Sequence, residues 1–258
     1  SKVIDMNFIN KLIVLSIVIY SVSFTTVADN HTPVLIPLEV QQCNFNGKKD
    51  MDDFLNLIGE WNDLLDDHSE YPYSGWVLTP QYRTSSDFSF DFAWVGVSDN
   101  WSNFGHIYDV WLEKGAKLGA KFEKVRSCKT QNLFASQAVR VPEVSSESSV
   151  LLVSNCKLNE GSTLLDVAVA DAKWNDYLDS TGSAGGIYRW FPGLGAPSDI
   201  DFDFKNVLVS SSMAEWGASS DTYVNGGGFG LQAEIYGDVV FCDSARMYQS
   251  NNMRDVRD

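Results

Sequence analysis

The sequence predicts an α+β protein made of two copies of one βαββαβ unit. Three observations predict this fold class. Short motifs recur in the same order at a nearly constant spacing, strand and helix patterns alternate identically in the two copies, and the four cysteines occupy equivalent places in them. A repeat of this kind indicates one structural unit used twice.

The internal repeat fixes the domain organisation. Residues 61–66 (WNDLLD) recur as 174–179 (WNDYLD), and residues 86–92 (SDFSFDF) recur as 198–204 (SDIDFDF). We therefore predict one repeat over residues 33–138 and a second over 149–248. A polar, serine-rich linker joins them at residues 139–148, and residues 249–258 form a tail.

The elements of the first copy follow from periodicity. The β-branched and apolar run at residues 34–43 predicts a strand. Apolar residues at helical spacing predict a helix over residues 51–66, with Asp50 as its N-cap. Two strands at residues 75–79 and 88–97, a second helix at 101–118 and a last strand from Cys128 complete the unit. Strict alternation places Phe88, Phe90, Phe92 and Trp94 on one face of the 88–97 strand.

The second copy repeats this order, with predicted strands at residues 150–156, 187–191, 201–209 and 239–248 and predicted helices at 164–178 and 213–223. The βαββαβ order is the ferredoxin-like arrangement, in which the first and fourth strands are antiparallel neighbours. Each copy has one cysteine at the end of its first strand and one at the start of its fourth. Of the three possible pairings, this topology selects Cys43–Cys128 and Cys156–Cys242.

Composition and the N-terminal segment indicate an exported protein. The 258 residues carry a net charge of −15, which argues against nucleic-acid partners and anionic membranes. The apolar run at residues 12–24, followed by small residues at 26 and 28, predicts a secretory signal peptide at 1–28, with 1–5 an upstream extension. An uncleaved anchor is the alternative. Disulfides fit a periplasmic or secreted location, with no membrane attachment after cleavage.

The tandem βαββαβ units resemble the dimeric α/β-barrel superfamily, with both protomers fused in one chain. Residues 75–80 (GWVLTP), the two SD-x-x-FDF stretches and residues 225–229 (NGGGF) also resemble exported tandem proteins of marine bacteria. The resemblance implies two four-stranded sheets facing each other as a barrel, with helices outside. Because both halves of the barrel are fused in one chain, the two-fold axis lies within the chain and we expect a monomer. The resemblance implies no shared catalytic motif.

Candidate functional residues lie near the third strands and the aromatic segments. If the aromatic face of each third strand packs under the helices, Asp91 and Asp203 look into the barrel, where paired carboxylates act as acids or bases. The alternative is that they are solvated. The candidate ligand contacts are aromatic and charged residues of the barrel mouth, of the third strands and, for His106, of the second helix of the first copy. Their alternative is packing in the core, at the rim or, for His106, at the surface: Trp76, Tyr82, Trp94, His106, Tyr188, Arg189, Trp190 and Asp201.

We expect no metal site and no cofactor, because no ligand cluster has zinc or EF-hand spacing. The predicted function is binding of a small aromatic or apolar ligand in the barrel cavity, or a structural role. The alternative, by analogy with the superfamily, is a cofactor-independent monooxygenase or isomerase with Asp91 or Asp203 as base.

Overall fold

The first repeat is a four-stranded antiparallel sheet with helices packed on one face. The computed structural model describes residues 34–82, 84, 89–144 and 146–256, so the predicted signal peptide lies outside the described residues. The strands are β1 (Leu35–Phe45), β2 (Tyr73–Tyr82), β3 (Phe92–Ser98) and β4 (Arg126–Arg140). The helices are α1 (Met51–Leu55), α2 (Ile58–His68), α3 (Trp101–Lys114) and α4 (Ala116–Val125). The strand order β4-β1-β3-β2 is that expected of a βαββαβ unit.

The second repeat has the same topology. Its elements are β5 (Ser148–Leu158), α5 (Leu164–Ser180), β6 (Gly186–Phe191), β7 (Phe204–Ser210), α6 (Met213–Asn225), α7 (Gly228–Tyr236), β8 (Val240–Cys242) and β9 (Arg246–Arg254). Strand β5 lies between β7 and β9, and β6 pairs with β7. The short β8 pairs with the end of β5.

The two sheets join edge to edge into one closed barrel. Strand β2 pairs with β9, and β4 pairs with β6, so eight antiparallel strands form a continuous ring. The predicted fold, a barrel made of two ferredoxin-like repeats, is confirmed. Side chains from both repeats fill its interior, among them Leu38, Phe134, Leu151, Trp190 and Val207. A second core, built on the other face of the first sheet, packs against α1–α4.

Both predicted disulfides are confirmed. Cys43 and Cys128 are direct cross-strand partners on β1 and β4, and Cys156 and Cys242 are partners on β5 and β8. Each pair is covalently bonded. Among the described residues, no helix is long and apolar enough to cross a bilayer.

Several helix and strand boundaries differ from those predicted. The predicted helix over residues 101–118 is two helices, α3 and α4, which meet at Gly115. A Cβ there would lie 2.5 Å from the Trp111 carbonyl oxygen and 2.6 Å from its ring, so glycine allows the tryptophan to pack over the junction. The predicted strand over residues 239–248 is β8 and β9, and β9 continues to Arg254 along β2.

The face assignment of the third strand was wrong at Phe90. Strand β3 begins only at Phe92, so strict alternation does not extend back to Phe90. Phe92 and Trp94 pack under the helices, whereas Phe90 packs inside the barrel with Ala93 and Val95. The aromatic residues of this segment therefore divide between two cores.

Candidate ligand-binding site

A cavity of about 300 Å³ lies between the sheet of the first repeat and helices α2–α4, outside the barrel. Helix-facing residues of the strands form its floor, and side chains of the helices, together with Trp94 of β3, form its walls. Most of the wall is aromatic: Phe54, Trp61, Trp94, Phe104, Tyr108, Trp111 and Phe122. Its volume is at the lower end of the range for small-molecule sites.

The aromatic walls follow from helical spacing. Phe54, Ile58, Trp61 and Leu65 recur at three- and four-residue intervals, so α1 and α2 present one apolar face to the sheet. The rings of Trp61 and Trp94 cross nearly at right angles, with centroids 5.0 Å apart. This edge-to-face geometry is favourable between aromatic rings and leaves a rigid wall.

The floor carries a chain of polar groups. The Tyr73 hydroxyl donates a hydrogen bond to Glu39 Oε1 and accepts one from Trp94 Nε1 at 3.2 Å. Gln41 Nε2 donates to the other Glu39 oxygen at 3.1 Å. Burial raises the pKa of Tyr73 well above its usual value, and the Glu39 carboxylate raises it further. Tyr73 is therefore a neutral hydrogen-bond donor at physiological pH.

Two glycines make room for this floor. Gly96 on β3 is the cross-strand partner of both Glu39 and Gly75. A Cβ at Gly96 would lie 1.7 Å from the Tyr73 hydroxyl oxygen, and one at Gly75 would lie 2.6 Å from the Trp94 ring. The same register in the second repeat holds Leu208 and Ile187, with Leu152 in the place of Glu39. The polar floor is thus specific to the first repeat.

Arg126 lies at one end of the cavity. Its guanidinium carbon is 5.4 Å from the ring centroid of Phe122 and 5.9 Å from that of Phe54. Its Nη1 atom contacts the Cys43–Cys128 disulfide, at 3.6 Å from Cys43 Sγ. Burial lowers the pKa of Arg126, and the negative charges of Glu39 and Glu123 act in the opposite direction.

The corresponding space in the second repeat holds a buried ion pair. Arg189 occupies the place of Val77, and its guanidinium forms a two-point contact with the Asp171 carboxylate, with Nη2 2.7 Å from Oδ1. The Tyr236 hydroxyl donates to the same carboxylate at 2.8 Å. Burial raises the pKa of Tyr236, and Asp171 adds to this. Arg189, expected at the barrel mouth, therefore lies between the sheet and the helices.

The barrel interior has a smaller cavity, of about 150 Å³, at one end. Three of the predicted ligand contacts line it: Trp76, Tyr188 and Trp190. Serines 136, 146, 149 and 250 supply hydroxyl groups beside them. The structure brings these predicted residues together, in a space suited only to a very small molecule.

The other predicted site residues are spread over the molecule. Trp94 lines the larger cavity, whereas Tyr82 is 69% exposed at the end of β2. His106 is exposed and stacks on Tyr71, with ring centroids 4.8 Å apart. Asp201 is exposed and forms an ion pair with Lys157.

The two candidate bases form equivalent contacts with the backbone. Asp91 Oδ2 accepts a hydrogen bond from the Phe45 N–H at 2.9 Å, and Asp203 Oδ2 accepts one from the Leu158 N–H at 2.7 Å. Each carboxylate therefore stabilises the end of the first strand of its own repeat. Neither residue lines either cavity.

Sequence reasoning missed Glu39, Tyr73 and Arg126. Two signals were available. Glu39 interrupts the apolar run of β1, and Gly75 and Gly96 lie inside predicted strands, where glycine marks a close approach of another group.

The residues of the cavities do not fit a haem or a bound metal ion. Of the residues that the structure describes, no histidine, cysteine or methionine lines either cavity, so the side chains that most often hold haem iron are not found there. Within the described part of the chain, no group of three or more histidine, cysteine or acidic side chains is arranged to hold a metal ion.

Comparisons with known proteins identify the fold. No protein-family model matches the chain, and no curated protein matches its sequence. A candidate monooxygenase from Lactobacillus acidophilus is 9% identical, with a TM-score of 0.52, and the match covers 86% of this chain and 95% of that one. A candidate monooxygenase from Fusobacterium nucleatum is also 9% identical, with a TM-score of 0.52, over 86% and 94% of the two chains.

A third solved structure, of a candidate chlorite dismutase, is 9% identical, with a TM-score of 0.51, and the match covers 84% of this chain and 95% of that one. These similarities are far too low in sequence to transfer an activity, but they extend over nearly the whole barrel. The chain therefore has the dimeric α/β-barrel fold, with both halves of the barrel supplied by one polypeptide.

Proposed function

We propose that this protein binds a small aromatic molecule in the cavity beneath helices α2–α4 of the first repeat. The observation that carries the proposal is the cavity itself, with three tryptophans in its wall and a buried carboxylate in its floor. Sites for small molecules combine apolar surface with a few oriented polar groups in this way.

The difference between the repeats supports the proposal. The first repeat has glycine at positions 75 and 96, whereas the second has isoleucine and leucine in the same register. Glycine in a strand interior weakens the strand, and a buried carboxylate is unfavourable unless it is well paired. We therefore expect strand glycines and a buried carboxylate to occur together where they form a ligand-binding site.

Two glycine substitutions on helices test the proposal with a matched control. Gly119 lines the cavity, and a Cβ there would make only an ordinary 3.6 Å contact with Trp111. Gly119→Leu therefore fills the cavity without a backbone clash. Gly105→Leu places the same side chain on α3, where nothing lies within 4 Å. Both changes replace a helical glycine by a good helix former, so both variants should fold.

The measurement is saturation-transfer NMR with a set of one- and two-ring aromatic compounds. We expect binding to the unmodified protein and to Gly105→Leu, and its loss in Gly119→Leu. Equal binding to all three proteins would contradict the proposal, because the ligands would then occupy another site. Native mass spectrometry of protein from its own cell envelope would identify a ligand that is retained on purification.

A second candidate function is proton-transfer catalysis in the same cavity, as in a cofactor-independent monooxygenase or isomerase. The favouring observation is the Glu39 carboxylate, which lies in the cavity floor beside the neutral Tyr73 hydroxyl. Glu39 is placed to take a proton from a bound ligand, which Asp91 and Asp203 are not. Two structural neighbours named as candidate monooxygenases agree with this alternative. Glu39→Gln would abolish turnover while leaving the aromatic wall of the cavity in place.

We also propose that the protein is an exported monomer, in the periplasm or the medium. The two disulfides support an oxidising compartment. The barrel is closed by strands of a single chain, which leaves no open edge in the ring to require a second copy. Light scattering of the purified protein should give the mass of one chain, and a dimer mass would contradict this.

A further inference from the structure

The cavity of the first repeat is lined by one cationic side chain, Arg126, and by two carboxylates, the buried Glu39 and the exposed Glu123. Among the described residues, neither carboxylate forms an ion pair with Arg126 within 4 Å. We propose that its ligand is an aromatic molecule with a cationic group at one end and an anionic group at the other. This inference rests on the proposed function and specifies its ligand class.

The Glu39 end favours a cation. Glu39 is only 9% exposed, yet its oxygens accept hydrogen bonds from neutral donors alone, the Tyr73 hydroxyl and the Gln41 amide. Among the described residues, no ion pair within 4 Å reaches this carboxylate. A buried carboxylate without a cation in direct contact is unfavourable, and an ammonium group of the ligand would supply one.

The tryptophans beside Glu39 favour the same charge. Trp94 donates to the Tyr73 hydroxyl that holds Glu39, and Trp61 packs edge-on against Trp94. Aromatic faces attract cations through the negative charge density of the ring, most strongly for tryptophan. A cationic group at the carboxylate would therefore meet both a countercharge and aromatic rings.

The Arg126 end favours an anion. One guanidinium nitrogen, Nη1, contacts the disulfide. The Nε atom is buried without a hydrogen-bond partner, and no described residue accepts a hydrogen bond from Nη2. The carboxylates of Glu39 and Glu123 act on Arg126 electrostatically, but neither accepts a hydrogen bond from it. Arginine normally satisfies several donors at once with a carboxylate or phosphate, so the remaining donors of this side chain can bind an anionic group.

The spacing of the two side chains limits the length of the ligand. The Arg126 guanidinium lies against Cys43, which is four residues from Glu39 along β1. At about 3.3 Å per residue, the Cα atoms of Glu39 and Cys43 are about 13 Å apart. A molecule with a single benzene ring and charged groups at opposite positions is short enough to lie within this span.

The second repeat lacks both charges. The cross-strand register places Leu152 in the position of Glu39 and Val240 in the position of Arg126. The proposal therefore predicts a single ligand per chain.

Calorimetric titration with four matched compounds tests the ligand class. They are para-aminomethylbenzoate, which has both charges, para-methylbenzylamine and para-methylbenzoate, which have one each, and para-xylene, which has none. We expect one molecule of the doubly charged compound per chain, bound at least about tenfold more tightly than either singly charged one.

Two substitutions assign the charges to residues. Glu39→Gln keeps an acceptor for Tyr73 and should make para-aminomethylbenzoate bind no better than para-methylbenzoate. Arg126→Met should make it bind no better than para-methylbenzylamine. Near-ultraviolet circular dichroism confirms folding, and if Arg126→Met does not fold, the four affinities of the unmodified protein decide alone.

The outcomes separate the two proposals. If a singly charged or neutral compound binds as tightly as the doubly charged one, the ligand class is wrong and the aromatic site stands. If all four compounds fail to bind while other aromatic compounds bind in a manner sensitive to Gly119→Leu, the ligand class is again wrong. If no aromatic compound binds at all, the proposed function itself is refuted.

Discussion

Replacing Tyr73 by phenylalanine should lower stability at neutral pH and flatten its decline at high pH. The substitution removes the hydroxyl that donates to Glu39 and accepts from Trp94 Nε1. A hydrogen bond to a charged group contributes about 1.5–3 kcal/mol, and leaving its partners unsatisfied has a cost of similar size. We therefore expect the free energy of unfolding to fall by about 2–3 kcal/mol at pH 7.

The pH dependence follows from the raised pKa of Tyr73. In the unfolded chain a tyrosine ionises near pH 10, whereas burial keeps Tyr73 protonated in the folded protein. Above pH 10 the folded state then holds one more proton than the unfolded state. This group's contribution to stability falls by about 1.4 kcal/mol per pH unit as the pH rises. Phenylalanine has no such contribution, so the difference between the two proteins should narrow from pH 10 to about pH 11.5.

The assay is urea unfolding followed by circular dichroism at a series of pH values. Other titrating groups are common to both proteins and cancel in the difference. Tyr82→Phe is the matched control, because Tyr82 is largely exposed and should change stability by less than about 0.5 kcal/mol at every pH. Parallel curves for Tyr73→Phe and the unmodified protein above pH 10 would show that Tyr73 ionises normally in the folded state, contrary to this prediction.

Three further predictions concern the second repeat and the disulfides. Arg189→Met and Asp171→Leu should each destabilise the protein by about 3–5 kcal/mol in urea unfolding, and the double variant should recover most of that loss; additive losses would contradict a buried pair. Burial and the charge of Arg246 lower the pKa of Lys205 to about 8, whereas Asp201 raises the pKa of Lys157. Competitive acetylation measured by mass spectrometry should therefore give a midpoint near pH 8 for Lys205 and a higher midpoint for Lys157. Because the pKa of Lys205 is lower in the folded than in the unfolded state, its contribution to the free energy of unfolding should rise from about pH 8 towards pH 10. An acetylation midpoint near pH 10 would show that Lys205 is solvated. Replacing Cys43 and Cys128 together by serine should cost about 2–5 kcal/mol, and an unchanged urea midpoint would show that the bridge adds no stability.

Features set by local pattern were predictable from the sequence. The motif repeat and the alternation of strands and helices led to the correct barrel, and topology selected the correct cysteine pairs, because each depends on element order alone. The end of alternation at Phe92 was not predictable, because it depends on where pairing with β1 begins.

The site was harder to predict, because it depends on which side chains meet across strands. Glu39 and Tyr73 are 34 positions apart, and they meet only through the pairing of β1, β3 and β2. Likewise, the residues next to Arg189 in the sequence do not show whether its side chain lies at a barrel mouth or in a buried ion pair. Its partner Asp171 lies on a helix, and the contact requires tertiary packing.

The most direct test of the proposed binding site is a crystal structure of the protein soaked with para-bromobenzylamine, with the bromine located by anomalous scattering. We expect one bromine peak per chain, between the sheet and helices α2–α4 of the first repeat, with the ring among Trp61, Trp94 and Trp111 and the amine at Glu39. A peak inside the barrel beside Trp76 and Trp190, or equal peaks in both repeats, would contradict this expectation.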